Sequence, residues 1–178
     1  MNAKKEILRK EIREKINQLS EEEKHFQSTE IFKKLENLPE FRYANVILMY
    51  WSLPNEVETH DFIEKWSVSK TILLPCVEDN HLVLKHYRDN FCLSVGKFNI
   101  CEPTTEEFLD YSKIDLCIIP GLAFDKHGIR LGKGKGFYDK FLSNINVMKV
   151  GVCFDVQLIE SVPHDDWDRK MDLVLYPC

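Results

Sequence analysis

Apolar side chains at Leu8, Ile12, Ile16 and Leu19 recur at helical spacing through residues 4–19, against a charged background. This pattern predicts an amphipathic helix. Ser20 and Glu23 form a capping box that opens a second helix. Ile31, Phe32 and Leu35 give that helix its inner face, and Pro39 marks its end. The pattern then changes to short, nearly continuous apolar runs at 46–51, 71–75, 114–120, 147–154 and 173–176. Runs apolar throughout, rather than at every second position, belong to strands covered on both faces. A helix starting at a Thr59 cap and reaching Trp66 separates the first two runs, and a helix over 137–144 precedes the fourth. Residues 82–87 read as an antiparallel edge strand, and 88–105 as irregular, with turn chemistry at Asp89, Asn90 and Gly96. The alternation predicts an α/β fold. Residues 1–178 should form a single-domain, three-layer α/β/α unit with a mostly parallel open sheet and an N-terminal helical pair.

Composition narrows the function classes. Hydrophobic residues make up 44% and charged residues 30%, which fits a soluble globular chain. The net charge of −5 argues against a general nucleic-acid binder. The longest apolar run, at 46–51, is far below the roughly 20 residues that span a bilayer, so no membrane helix is expected. The charged N-terminus lacks the apolar core of a signal peptide, and a cytoplasmic location is expected. Cysteines 76, 92, 101, 117, 153 and 178 include no CxxC pair and read as free, buried thiols.

One stretch departs from this background. Of only 7 glycines in 178 residues, five lie between Gly121 and Gly136. Residues 121–140 hold five cations against two anions, a local +3 in an acidic chain. The stretch follows a buried run and precedes a helix, the place where open α/β sheets bind ligands. Gly132, Gly134 and Gly136 alternate, which lets successive N–H groups turn inward as an anion-binding nest. Arg130, Lys133 and Lys135 add charge there, and the combination suits a polyphosphate. It is neither a Walker A loop nor the dinucleotide fingerprint. A flexible surface turn kept soluble by lysines is the alternative, and the clustering argues against it.

Other candidates read two ways. Asp139, one turn into the next helix, is either a magnesium ligand beside phosphates or an acid favouring a helix start. Asp172, before the last run, is either a ligand or a turn residue. Lys5, Arg9 and Arg13 share one helical face, which either reaches phosphates or stays solvated and paired with Glu6 and Glu14. Trp51, at a strand end, could stack on a flat heterocycle, and Glu56 could accept its N–H groups; core packing and a solvated loop are the alternatives. No Ser/His/Asp or Cys/His constellation is present.

Taken together, these residues resemble the 5-formyltetrahydrofolate cyclo-ligase family nearly end to end. The resemblance rests on Lys5-x-x-x-Arg9, Glu56-Val-Glu58-Thr59, the long Pro120-Gly-Leu-x-Phe-Asp-x-x-Gly-x-Arg-Leu-Gly-Lys-Gly-Lys-Gly-Phe-Tyr-Asp139 signature, Val162-Pro163, Asp172 and Leu175-Tyr176. It implies conversion of 5-formyltetrahydrofolate to 5,10-methenyltetrahydrofolate, with ATP as co-substrate and Mg2+ as cofactor. Lys5, Arg9 and Arg130, Leu131, Gly132, Lys133, Gly134, Lys135, Gly136, Phe137 and Tyr138 would bind ATP. Arg9, Trp51, Glu56 and the 133–137 stretch would contact folate. Asp139 and Asp172 would hold magnesium, and Lys135, Arg130 and Tyr138 would carry catalysis. Partners would be these small molecules, not nucleic acid or membrane, and a monomer is expected. The family commonly has arginine at Lys133 and tyrosine at Phe137; lysine here loses bidentate geometry and phenylalanine loses a hydroxyl. Competing readings are a folate- or nucleotide-binding regulator without turnover, and an ATP-dependent enzyme acting on another small substrate.

Overall fold

A computed structural model describes residues 2–79, 81–96 and 101–177 of the chain; Cys178 lies outside them. Helix α1 spans Asn2–Gln18 and α2 spans Glu21–Asn37, the latter opened by the reciprocal Ser20–Glu23 box. Ile12 and Ile16 of α1 are each 1% exposed. Burying two such side chains stabilises the fold by roughly 3–6 kcal/mol before entropy. Pro39 does more than end α2. Leu38 closes α2 and also caps a short helix α3, Pro39–Tyr43, in which proline takes the first helical position, where its missing N–H costs nothing.

The main sheet has six strands: β1 Val46–Leu48, β2 Thr71–Glu78, β3 His81–Tyr87, β6 Leu116–Pro120, β9 Met148–Val152 and β11 Leu173–Leu175. Their order is β11-β9-β6-β1-β2-β3, with every neighbouring pair parallel except β2–β3. One face packs against α1, α2, α3 and helix α4, His60–Ser67, in the larger core around Ile47, Ile72 and Ile118. The other face, with Leu48, Leu73 and Ile119, packs against helix α5, Phe137–Leu142. This is the expected three-layer α/β/α fold with an antiparallel edge.

Two expectations need correction. Residues 88–105 are not simply irregular, since β4 Leu93–Val95 and β5 Cys101–Pro103 pair antiparallel. The glycine-rich stretch also begins as structure. Strands β7 Ala123–Asp125 and β8 Arg130–Leu131 form a hairpin, and β10 Leu158–Ile159 joins β7 in a three-stranded sheet. Asp125, 1% exposed, builds the turn. Its carboxylate accepts the N–H groups of His127, Ile129 and Val162 at 2.9, 3.0 and 3.0 Å. A Cβ at Gly151, in the middle of β9, would sit 2.4 Å from the Phe124 ring, so close packing of this small sheet on the main one requires glycine there.

Candidate active site

The strand order reverses between β1 and β6: the chain leaves β1 toward β2 on one side and returns to β6 on the other. At such a switch point the loops leaving the carboxyl ends diverge and open a crevice. A cavity of about 1040 Å³ lies there. It is lined by Tyr50 and Trp51 after β1, Leu74, Pro75 and Val77 of β2, Pro120 and Gly121 at the end of β6, and the whole 130–140 stretch.

Several elements bring charge to this cavity. On α1, Lys5 and Arg9 share the face that carries Ile12 and Ile16 inward, whereas Arg13 is exposed. Packing the helix therefore delivers two cations of the three-residue stripe. Arg9 Nε donates to Gly132 O at 2.9 Å, and Arg9 also pairs with Glu6. Lys5 Nζ reaches Asp165 and Asp168 at 2.8 and 2.6 Å. Burial works against the Lys5 charge, but the bonds to these carboxylates outweigh it, and its pKa lies above the ordinary lysine value.

The loop itself has the backbone that its glycines allow. Gly134 has φ +103° and Gly136 has φ +70°, both in the left-handed region that side chains resist. A Cβ at Gly134 would lie 3.4 Å from Arg9 Cζ, so the Arg9 guanidinium packs directly beneath the loop. Arg130 is buried. Its NH2 donates to Asp139 Oδ1 at 2.9 Å and its NH1 to Pro120 O at 3.3 Å, while its Nε has no hydrogen-bond partner among the described residues. The guanidinium lies 5.5 Å from the Tyr138 ring centre. Burial, reinforced by nearby Glu56, pushes the Tyr138 phenol well above its ordinary pKa, so it stays protonated and can donate a hydrogen bond. Lys133 pairs with Glu56, and Glu56 Oε2 accepts Leu53 N–H at 2.9 Å.

The segment after β1 is fixed by Thr59. Its side chain does not cap α4, as the sequence suggests. Thr59 Oγ1 instead donates to Tyr50 O at 2.6 Å and accepts Ser52 N–H at 3.1 Å, while Thr59 N–H donates to Ser52 Oγ at 3.0 Å. These bonds set the turn that presents Trp51 and Glu56. The Trp51 indole is already stacked with His60, 4.0 Å between centroids, and lies 5.6 Å from Tyr87. A ligand therefore meets an indole that is already part of a protein stack.

All the predicted ligand-contacting residues from Lys5 to Asp139 line this cavity; Asp172 does not. Asp172 stands at the amino ends of β9 and β11, where its carboxylate accepts Lys149 N–H at 2.7 Å and pairs with Lys149 Nζ at 3.1 Å. The parallel strands put that end opposite the cavity, so Asp139 and Asp172 are not brought together. Sequence reasoning missed Asp165 and Asp168, which do line it. Their only signal was an acidic run, Asp165-Asp-Trp-Asp168, in need of a cation. A smaller groove of about 570 Å³ between α2 and α4 holds none of the predicted ligand residues.

The donor set bears on magnesium. Among the described residues no group of three or more His, Cys, Asp or Glu is gathered to hold a metal. Magnesium commonly binds through one or two carboxylates plus substrate phosphates. Asp139, whose two hydrogen bonds, from Arg130 and Arg169 N–H, both fall on Oδ1, fits that role, with Asp165 and Asp168 on the same cavity wall.

The 5-formyltetrahydrofolate cyclo-ligase family matches residues 1–177. The chain is 30% identical over 175 residues to the 5-formyltetrahydrofolate cyclo-ligase of Escherichia coli, covering 93% of this chain and 96% of the relative. It is similar to the solved structure of Aquifex aeolicus 5,10-methenyltetrahydrofolate synthetase, with TM-score 0.87, 36% identity, and coverage of 96% and 88% of the two chains. The corresponding enzyme from Mycoplasma pneumoniae aligns with TM-score 0.78 and 27% identity over 97% and 98% of the two chains. With a switch-point cavity on its fold and a match spanning 1–177, the chain belongs to the 5-formyltetrahydrofolate cyclo-ligase family.

Proposed function

We propose that this chain is a ligase that converts 5-formyltetrahydrofolate and ATP to 5,10-methenyltetrahydrofolate, ADP and phosphate. The observation that carries the reading is one cavity with two chemistries. Leu53, Leu74, Pro75, Val77 and Leu82 make an apolar wall suited to a flat heterocycle, and Lys5, Arg9, Arg130, Lys133 and Lys135 surround the glycine backbone. A family match over the whole length supports joining the two in a single reaction.

The chemistry explains why both substrates must share a cavity. A formyl amide oxygen is a poor leaving group. Its attack on the γ-phosphorus forms a C–O–P bond and releases ADP. N10 then adds to the activated carbon, the C–O bond breaks with its electron pair leaving on phosphate, and N10 gives up its proton. Positioning and charge stabilisation do most of the work in such transfers. Lys5, Arg9, Arg130 and Lys135 supply positive charge for the transferring phosphoryl group, and Gly134 and Gly136 let backbone approach it. The protonated Tyr138 phenol is a hydrogen-bond donor beside Arg130. Trp51, Glu56 and residues 133–137 contact the folate. Asp139 would hold Mg2+, which neutralises phosphate charge when bound; Asp165 and Asp168 are better placed than Asp172 to assist.

The cavity draws on α1, the 130–140 stretch and residues 165–169, which supports a chain that acts as one domain; a monomer is the assembly we propose. Cys76, Cys92, Cys101, Cys117 and Cys153 are free, and a cytoplasmic location is the one we propose. The decisive assay follows the absorbance of methenyltetrahydrofolate from 5-formyltetrahydrofolate with ATP and Mg2+. Product should require ATP. Folded protein that binds both ligands without forming product would favour a regulator without turnover.

A further inference from the structure

We propose that Trp167 is the platform on which the purine base of the nucleotide stacks. The inference rests on the ATP reading above and deepens it. Phosphates held by Lys5, Arg9 and the glycine loop fix one end of a nucleoside triphosphate, and its base needs a surface elsewhere in the same cavity, which Trp167 also lines. A flat heterocycle wants an aromatic face, and indole offers the largest. The other aromatic side chains of the cavity are engaged: Trp51 is stacked with His60, the Tyr138 ring faces the Arg130 guanidinium, buried Tyr50 donates its hydroxyl to Val57 O at 2.9 Å, and Phe137 packs against the core beneath α5.

Trp167 is different. The residue is 69% exposed, and of the large apolar residues exposed among the described residues it alone lines the cavity. No ring contact or hydrogen bond holds its indole among those residues. Its backbone, in contrast, is tied down on both sides. Asp168 N–H donates to Asp165 O at 3.1 Å and Asp165 N–H to Asp168 Oδ2 at 2.8 Å, closing a tight turn around Trp167. Lys5 bridges both carboxylates at 2.8 and 2.6 Å, and Arg169 N–H donates to Asp139 at 3.3 Å. The turn is thus pinned to α1, the source of two phosphate cations, and to α5, the exit of the glycine loop. With the backbone already fixed, only the two side-chain torsions of Trp167 need order when a base lands on its uncovered face.

The test measures equilibrium binding of ATP and of inorganic tripolyphosphate, each with Mg2+, to the full chain and to Trp167→Ala and Trp167→Phe. Because the indole is exposed, neither change removes core packing, and circular dichroism checks the fold. Trp167→Ala should bind ATP about ten- to a hundredfold more weakly and tripolyphosphate unchanged, while Trp167→Phe keeps most of the ATP affinity. Tripolyphosphate binding lost as steeply as ATP binding, or ATP binding within twofold of the parent in Trp167→Ala, would overturn the platform while leaving the ATP reading intact. A parent chain that binds neither ligand would overturn both.

Discussion

Changing Asp139 to alanine removes the carboxylate that pairs, among the described residues, with the buried Arg130 guanidinium. The Arg130 side chain is only 4% exposed, and Asp139 is 20% exposed. Without Asp139, Arg130 keeps a 3.3 Å bond to Pro120 O and an Nε that already lacks a partner among the described residues. Breaking a fully buried pair costs about 3–5 kcal/mol. The partial exposure of Asp139 reduces that to roughly 2–4 kcal/mol, a large share of the typical 5–15 kcal/mol total. For a chain of this size the melting temperature should fall by about 4–16 °C. Asp139→Asn keeps an acceptor for Arg130 and for Arg169 N–H but loses the charge, and should fall in between. Arg130→Met with Asp139→Ala removes both charges and should recover part of the loss. Thermal and urea unfolding of the four proteins measure this series. An alanine variant within about 0.5 kcal/mol of the parent, the noise of an ordinary surface change, would refute the buried-pair argument. A double variant no better than Asp139→Ala would do the same. Activity lost in Asp139→Ala is then partly lost structure, so Asp139→Asn is the cleaner probe of magnesium binding.

Gly134→Val forces a β-branched residue to φ +103° beside Arg9. The strain is about 1–3 kcal/mol, and the exposed loop will relieve it by moving. Isothermal titration should show ATP affinity down at least about tenfold, the effect of one such strain, with a melting temperature changed by only a few degrees; unchanged affinity would reduce the glycines to a simple turn. The thiols make a pH prediction. Burial pushes Cys117 and Cys153 up to about 12, against 9.0 for an ordinary thiol. Above pH 9 the unfolded chain releases protons that the folded chain keeps, so stability must fall as pH rises. Two thiols together give a loss on the order of 3 kcal/mol by pH 10. Cys76, also pushed up to about 12 by burial, remains in a Cys117→Ala, Cys153→Ala variant, so its denaturant midpoints at pH 8 and 10 should draw closer together than the parent's, and an equal drop in variant and parent would contradict the assignment.

The layers were readable because the parallel strands of the main sheet fall in nearly continuous apolar runs. The functional site was readable only in part. Periodicity identifies the runs at 46–51 and 114–120 as strands but cannot say that they are neighbours, and the cavity exists because they are. Lys5, Arg9 and Arg13 lie on one face by spacing, yet whether that face is wet depends on the packing of Ile12 and Ile16. The Asp165 and Asp168 partners of Lys5 are 160 and 163 residues away, beyond any local pattern. Asp172 shows the opposite failure: a strand-adjacent aspartate carries no mark of which end of the sheet it occupies, and it stands at the end away from the cavity. Thr59 looked like a cap because threonine commonly is one, but here Tyr50 O and Ser52 N–H claim its hydroxyl.

The central claim is that one cavity brings the formyl oxygen of the folate to the γ-phosphate of ATP. Isotope tracing tests it most directly. With 18O in the formyl group of 5-formyltetrahydrofolate, a single turnover should release phosphate carrying that oxygen, one label for each methenyl product. Methenyltetrahydrofolate formed with unlabelled phosphate would contradict the account.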